Sequence, residues 1–334
     1  MIYPENSGID RFITSEAPEE VLEPDLPIID PHHHLWDNRA ATSVFEQKVY
    51  LCNEIMADIN KSGHNITQTV FAQCGAFFRA DGPKDLRCVG ETEFVQGVAA
   101  MSRSGIYGST RLCTGIFGSA DLRAGSSVEP VLEAHLAASA NFRGIRTAFP
   151  SDLNQTYLDG FALLEKYNLS FDHYSPDFER LPTLAALAAA HPGVPVIVNH
   201  FGGTVNPDDD AETFARWREC LEIAAASPNT VMKLGGAQMR AGDWEPSFHM
   251  HKQDTPLSSQ AFCELLYPYY IAAIDVFGPD RCMFESNFPV DRECISYRAL
   301  WNMFKRIAAK AGLSEDEKTS VFSGTAARVY RLPD

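Results

Sequence analysis

Short apolar runs alternate with longer amphipathic stretches along most of this chain. Eight runs have the length and composition of buried strands: Leu26–Asp30, Thr67–Cys74, Arg111–Phe117, Phe142–Thr147, Asn168–Asp172, Val194–Asn199, Thr230–Leu234 and Arg281–Glu285. Between them, apolar residues recur every three or four positions, which predicts helices. These are Leu51–Lys61, Glu91–Ser104, Val128–Ala138, Thr156–Tyr167, Phe178–Ala190, Ala211–Ala226, Ser258–Phe277 and Arg292–Ala311.

Eight strand-then-helix units are the count of an α/β protein of the (β/α)8 TIM-barrel type. The alternative, an open doubly wound sheet, more often has a Gly-rich phosphate loop after its first strand, and none occurs here. A capping box, Ser314 with Glu317, predicts an additional C-terminal helix over Glu315–Tyr330. The expected organisation is an N-terminal extension, residues 1–25, followed by a single barrel domain, residues 26–334.

Composition narrows the range of partners. The 334 residues carry a formal net charge of −16, which argues against nucleic acid or an anionic membrane as a partner. The longest apolar helix-like run, Leu184–Ala190, is too short to span a bilayer. The eight cysteines form no C-x-x-C pair, and the start of the chain has no apolar signal region. We therefore expect a cytoplasmic protein with free thiols that acts on a small molecule, its oligomeric state being open.

The most informative segment follows the first apolar run, where Asp30 is followed by Pro31 and three histidines. In extended chain, residues two apart lie on the same side, so His32 and His34 are expected side by side. At the carboxyl end of a barrel strand, such a pair suits two ligands of one metal ion or two polar contacts to one substrate. A histidine-rich polar turn is the alternative interpretation.

Other predicted strands also end in polar residues. Arg146 is a candidate for binding an acidic substrate or for a salt bridge within the barrel. Asp172 and His173 lie on opposite sides of their strand, so only one of them faces the barrel axis, and Asp172 is the candidate substrate contact. His200 follows an all-apolar strand and precedes two glycines. Lys233 is a candidate anion-binding residue or a structural ion-pair partner.

The eighth predicted strand ends in Phe284-Glu285-Ser286-Asn287-Phe288-Pro289-Val290-Asp291. If Glu285 faces the axis, Asn287 does too, one layer nearer the mouth of the barrel. Glu285, Asn287 and Asp291 are therefore candidate catalytic residues together with the histidines.

As a set, these segments resemble the amidohydrolase superfamily, in the branch that contains sugar lactonases, 2-pyrone-4,6-dicarboxylate lactonase and non-oxidative decarboxylases. The resemblance spans about residues 26 to 331 and rests on four strand-end segments and a C-terminal one: Asp30–His34, Gly144–Arg146, Val198–Gly203, Phe284–Pro289 and Thr325–Tyr330. It implies a TIM barrel with His32, His34 and His200 as ligands of a divalent metal ion, zinc or manganese. Some lactonases of the branch are thought to work without metal, so a metal-free site is also an expectation.

One position departs from the family pattern. The family has an aspartate where this chain has Asn287, and an amide cannot act as a base and is a poorer metal ligand. Three alternatives follow. Glu285 supplies the carboxylate, or Asp291 reaches back from the loop, or the histidines and Arg146 polarise a carbonyl without metal.

The leading hypothesis is a hydrolase that opens a lactone or a related carbonyl ester of a small, acidic metabolite. Water would attack the carbonyl with Glu285 or Asp291 as general base. A non-oxidative decarboxylase is the second hypothesis, which Asn287 disfavours because those relatives use aspartate there. An inactive barrel that binds a ligand is the third.

Overall fold

In the computed structural model, which describes residues 7–37, 47–147, 149–150, 153–237 and 255–333, eight parallel strands form one sheet. Each strand pairs with the next along the chain. The strands are β1 (Ile28–His33), β2 (Ile66–Ala72), β3 (Arg111–Gly118), β4 (Phe142–Arg146), β5 (Ser170–His173), β6 (Val196–Val198), β7 (Thr230–Leu234) and β8 (Cys282–Phe284). The predicted TIM barrel and its eight strands are confirmed.

The α-helices of the described residues alternate with these strands. They are α1 (Ser7–Thr14), α2 (Cys52–Ser62), α3 (Val89–Arg103), α4 (Glu129–Ala138), α5 (Gln155–Lys166), α6 (Leu181–Ala190), α7 (Ala211–Ala225), α8 (Ser259–Phe277), α9 (Tyr297–Lys310), α10 (Glu315–Thr319) and α11 (Thr325–Val329). Several begin at side-chain caps, of which the one at Ser314 was predicted from the sequence. Ser258, Ser296 and Ser314 each accept a hydrogen bond from a backbone N–H of the first turn.

Three predicted helix boundaries were wrong. Phe178–Arg180 forms a separate 3-10 turn before α6, and Asp291–Glu293 forms another before α9, which starts only after the Ser296 cap. The predicted C-terminal helix is split into α10 and α11 by a π-helical turn, Ser320–Gly324. Apolar periodicity continues through such turns, so it does not mark where the α-helix itself begins.

The N-terminal segment packs against the helical layer of the barrel. Ile9 and Phe12 of α1 are buried. Further along, Glu19 accepts a hydrogen bond from the backbone N–H of Ser259 at the start of α8 (2.7 Å). The Lys305 ammonium of α9 donates to the backbone oxygen of Leu22 (2.7 Å). These contacts tie the segment to two helices of the barrel.

A second small core fills the inside of the barrel. It combines inward-facing strand residues with residues from the C-terminal segment: Ile29, Val70, Phe117, Ile197, Val231 and Met283 from the strands, and Ala326, Val329 and Tyr330 from the segment. Near strand starts, Gln68 donates to the Pro333 oxygen (2.8 Å) and Arg331 donates to the Asn168 oxygen (2.7 Å). The C-terminal segment therefore covers the amino-terminal end of the barrel, opposite the end that carries the candidate site residues.

The structure bears on two features that composition suggested, the state of the cysteines and the length of the apolar helices. All eight cysteines are free thiols, and seven of them are buried, as expected for a chain without disulfide bonds. Within the described ranges, no helix is both long and apolar enough to span a lipid bilayer.

The barrel is closed by hydrogen bonds between the end of β1 and the residues that follow β8. The Asn287 N–H donates to the His32 oxygen (2.9 Å), and the His34 N–H donates to the Phe288 oxygen (2.7 Å). Beneath this join, the buried Asp30 carboxylate accepts hydrogen bonds from the Ser286 N–H (2.9 Å) and hydroxyl (2.6 Å), and burial raises its pKa to about 6. Asp30 thus fixes β1 to the end of β8.

Replacing Ser286 by Ala should test this closure. The variant loses the hydroxyl that donates to Asp30, and the buried carboxylate is left with one donor fewer. We expect the free energy of unfolding to fall by about 2 kcal/mol. Urea unfolding followed by circular dichroism would measure the change. Ser127→Ala, which removes an exposed hydroxyl from a 3-10 turn, is the matched control, and equal losses in both variants would contradict this role of Ser286.

Candidate active site

Two histidines and a glutamate converge at the carboxyl end of the barrel. His32 lies on β1, His200 follows β6, and Glu285 follows β8. The Glu285 carboxylate oxygens lie 2.8 Å from His32 Nδ1 and 2.6 Å from His200 Nδ1, and all three side chains are buried. Neither contact has hydrogen-bond geometry, so both oxygens of Glu285 and both nitrogens of His200 lack a hydrogen-bond partner within the described residues.

A buried ammonium lies beside this group. Lys233 Nζ is 3.0 Å from Asp172 Oδ1 and 3.9 Å from Glu285 Oε2, and it is also 3.3 Å from His32 Nδ1. Asp172 is a candidate substrate contact, and Lys233 is a candidate anion-binding residue or a structural ion-pair partner. Both are fully buried and form an ion pair with each other, which is the structural alternative for Lys233. Two carboxylates therefore share one ammonium inside the barrel, which limits the cost of burying their charges.

Burial keeps both imidazoles of the group neutral. It lowers the pKa of His32 well below its ordinary range, and the nearby Lys233 charge lowers it further. Burial also lowers the pKa of His200, against the opposing attraction of Glu285. A neutral imidazole keeps a lone pair on one ring nitrogen, so His32 and His200 can each offer that lone pair to a metal ion at neutral pH.

His34 faces the same centre from the other side of His32. Its Nδ1 lies 2.8 Å from the backbone oxygen of Ala72. Because a carbonyl oxygen only accepts, Nδ1 carries the proton and the lone pair of neutral His34 is on Nε2. That Nε2 lies 3.3 Å from His32 Nε2. The adjacency expected for His32 and His34 is therefore present, with a basic nitrogen of His34 next to His32.

A cavity of about 430 Å³ opens above these residues. It is lined by His34, Gln73, Cys74, Gly75, Phe78, Ser119, Arg146, Tyr174, Asn287 and Val290. Arg146 reaches from this cavity to His32, with 3.2 Å between its guanidinium and His32 Nε2. Among the described residues, no carboxylate lies within ion-pair distance of Arg146. Arg146 therefore forms no salt bridge with the described residues. Its guanidinium faces the cavity instead.

Asn287 and Asp291 form a separate pair. Asn287 lines the cavity, and its amide donates to Asp291 Oδ1 (2.8 Å). Asp291 is buried, and its carboxylate accepts this hydrogen bond from the Asn287 amide. Because β8 ends at Phe284 and Asn287 has a φ of +54°, a turn rather than continued strand alternation brings Asn287 to the site. His200 has a φ of +51°, and such backbone strain is concentrated at functional sites in proteins.

Two supporting residues were missed by the sequence reasoning. A Cβ at Gly235, directly after β7, would overlap the backbone oxygen and Cγ of Glu285, so only glycine leaves room for this carboxylate. Glu91 of α3 accepts hydrogen bonds from the N–H groups of Cys74 (3.0 Å) and Ala76 (2.9 Å), which holds a cavity-lining loop in place. The pair of glycines after β7 could have indicated Gly235. No local sequence pattern indicates Glu91.

The residues present fit a divalent metal ion. His32, His200 and Glu285 each offer a donor atom within 4.8 Å of the other two. Two neutral imidazoles and a carboxylate form a donor set typical of catalytic zinc sites. Within the described residues, the buried side-chain atoms of His200 and Glu285 lack hydrogen-bond partners, which is a further sign of ligand positions. His34, expected as the third histidine ligand, lies next to His32 but outside this group. His249 and His251, on the connection between β7 and α8, lie outside the described residues.

Comparison with known proteins places this arrangement in a family. The family model described as amidohydrolase matches residues 29–332, and the chain belongs to this family. The family and the fold that the sequence resemblance implied are thus confirmed.

Individual proteins are also similar to this chain. An uncharacterised protein of Sinorhizobium fredii, y4mH, is 33% identical over 92% of this chain and 99% of its own length. An L-fucono-1,5-lactonase of Burkholderia multivorans is 31% identical over 66% of this chain and 72% of its own length. Among solved structures, an amidohydrolase from Burkholderia multivorans with bound zinc superposes with a TM-score of 0.70 at 25% identity, covering 92% of this chain and 99% of that one.

The Asn287–Asp291 pair predicts the effect of restoring an aspartate at position 287. Asn287→Asp places two carboxylates at hydrogen-bond distance in a buried setting, so one of them must take up a proton. We expect the variant to lose about 2 kcal/mol of unfolding free energy at pH 7. The double variant Asn287→Asp/Asp291→Asn restores one amide and one carboxylate, and should recover most of that loss. Thermal unfolding would compare the two, and a double variant no more stable than the single one would contradict the pairing.

Proposed function

We propose that this protein hydrolyses a lactone of a small, hydroxylated acid. The observation that carries the proposal is the buried His32–Glu285–His200 group beneath a cavity that also presents Arg146. The lactonase named among the relatives supports the reaction class. In this reaction water adds to the ring carbonyl, the ring C–O bond then breaks, and a hydroxy acid is released.

Arg146 would stabilise the charge that develops during attack. Its guanidinium faces the cavity without a carboxylate partner among the described residues, so it is available to the carbonyl oxygen of a bound lactone. That oxygen becomes an oxyanion in the tetrahedral intermediate, and a fixed donor aimed at it lowers the barrier. The same charge would then bind the carboxylate of the product.

His34 would act as the general base and then as the general acid. Its hydrogen bond to the Ala72 oxygen leaves the lone pair on Nε2, at the edge of the cavity. That nitrogen can accept a proton from the attacking water and return it to the ring oxygen as the C–O bond breaks. Asn287, which cannot act as a base, would instead orient the substrate by hydrogen bonds.

His32, His200 and Glu285 are the residues that would hold a metal ion. When bound, a divalent ion polarises a carbonyl and lowers the pKa of water at its open position. In this arrangement Glu285 takes over the carboxylate role that the family pattern gives to an aspartate at position 287. We favour Glu285 over Asp291 because Glu285 contacts both imidazoles, whereas Asp291 contacts Asn287.

The cavity favours a hydroxylated substrate. Gln73, Ser119 and Asn287 offer hydrogen-bonding side chains, while Phe78 and Tyr174 offer aromatic faces. This combination matches the hydroxyl groups and C–H faces of a sugar-derived ring. Aldonolactones are therefore the substrates to test first. The decarboxylase alternative has no specific observation in its favour here, and the inactive barrel is disfavoured by the intact cluster of polar groups.

Glu285→Gln should strongly reduce lactone hydrolysis in a protein that still folds. The amide is isosteric but cannot carry the charge that the two imidazoles and Lys233 face. We expect kcat/KM toward aldonolactones to fall by about 100-fold or more. A pH-indicator assay on a panel of five- and six-membered aldonolactones would measure it. Glu93→Gln, at an exposed glutamate paired with Arg79, is the matched control.

Three outcomes would contradict the proposal. The wild type could fail on every lactone of the panel, Glu285→Gln could retain full turnover, or carbon dioxide could be released from unsaturated or aromatic acids instead. The last outcome would favour the decarboxylase hypothesis.

A further inference from the structure

The buried charges of the site extend down to the C-terminal segment of the chain. The hydroxyl of Tyr330, which follows α11, donates to Asp172 Oδ1 (2.7 Å). The same oxygen lies 3.0 Å from Lys233 Nζ. Lys233 in turn lies 3.3 Å from His32 Nδ1 and 3.9 Å from Glu285. One continuous set of contacts therefore runs from the base of the barrel to the candidate metal ligands.

Two aromatic rings lie beside the Lys233 ammonium. The Tyr330 ring stacks on Phe117 with 5.8 Å between ring centres and 15° between their planes. Lys233 Nζ lies 4.4 Å from the centre of the Phe117 ring and 5.2 Å from that of Tyr330. Both rings attract the ammonium through their π faces. Tyr330 thus contacts Lys233 by its ring and Asp172 by its hydroxyl.

We propose that Tyr330 is a positioning residue, through which the C-terminal segment sets how Lys233 is shared between Asp172 and Glu285. The catalytic consequence of this proposal rests on the proposed lactone hydrolysis. The sharing itself is a property of the structure that can be measured without any substrate.

The physical basis is a competition for one ammonium. Asp172 receives a charged contact from Lys233. It also accepts neutral hydrogen bonds from Tyr330, from the Ser170 hydroxyl (3.2 Å) and from the Asn199 amide (3.4 Å). Each neutral donor satisfies part of the Asp172 carboxylate and weakens its hold on Lys233. Without the Tyr330 hydroxyl, Asp172 draws Lys233 closer, and the ammonium moves away from His32 and Glu285.

If Tyr330 had only a structural role, removing its hydroxyl would affect stability but not the site. The ring packs in the inner core, whereas the C-terminal segment is also held by contacts that do not involve the hydroxyl, including those of Gln68 with Pro333 and Arg331 with Asn168. Tyr330→Phe keeps the ring and these contacts and removes only the donor to Asp172. Its effect on the site can therefore be separated from an effect on folding.

The chain provides a control in a second trio, in which the tyrosine is buried and the carboxylate and the guanidinium are partly exposed. The Tyr50 hydroxyl donates to Asp58 (2.9 Å), and Asp58 also pairs with the Arg292 guanidinium (2.8 Å). Tyr50→Phe thus removes the same kind of hydrogen bond, from tyrosine to a carboxylate that is paired with a cation. None of these three residues contacts His32, His200 or Glu285.

The experiment compares Tyr330→Phe and Tyr50→Phe in the full-length protein. Both should lower the melting temperature, since each loses one hydroxyl donor to a carboxylate that is paired with a cation. In Tyr330→Phe alone, kcat for lactone hydrolysis should fall by about 10-fold with KM within about twofold, because substrate contacts are unchanged. Equal kinetic constants in the two variants would overturn the catalytic part of the proposal.

A second readout is independent of activity. In protein labelled with ¹⁵N at histidine, the ring resonances of His32, assigned from their loss in His32→Asn, report the proximity of Lys233. They should shift in Tyr330→Phe and stay in place in Tyr50→Phe. Unshifted resonances in both would overturn the positioning role itself. If the wild type hydrolyses no lactone but the resonances shift as described, the positioning role stands and the proposed function fails.

Discussion

The sharing of the Lys233 ammonium between Asp172 and Glu285 is the constraint on which the site depends. All three groups are buried, and an uncompensated charge there would cost several kcal/mol. With the imidazoles neutral, Arg146 supplies the second positive charge that balances the two carboxylates. This balance allows a carboxylate to lie between two histidines inside the barrel, where water would otherwise be needed to stabilise it.

The rest of the fold holds these charges in place from three directions. Asp30 joins β1 to the end of β8 and so sets His32 against Glu285. The absence of a side chain at Gly235 leaves the space that Glu285 occupies. From below, the C-terminal segment brings Tyr330 to Asp172. The (β/α)8 architecture supplies the strand ends, and these specific contacts decide which side chains meet there.

Much of this arrangement could be predicted from sequence, because strands buried between the barrel interior and the helices appear as apolar runs and their final residues are site candidates. His32, His200 and Glu285 were found in that way. The pairing of Asn287 with Asp291 was not, since it depends on a turn with positive φ after β8 ends. The role of Tyr330 was also missed, because a contact with Asp172, 158 positions away, leaves no local pattern.

Zinc titration into chelator-treated protein, followed by calorimetry, tests most directly whether Glu285 and the two imidazoles form the reactive centre. We expect about one zinc ion per chain for the wild type. Glu285→Gln should lose that binding, and its apo protein should still unfold in one cooperative transition, at a lower temperature because Lys233 loses one of its two carboxylate partners. Undiminished zinc binding in Glu285→Gln, or none in the wild type, would contradict the assignment of Glu285 as the carboxylate of the site.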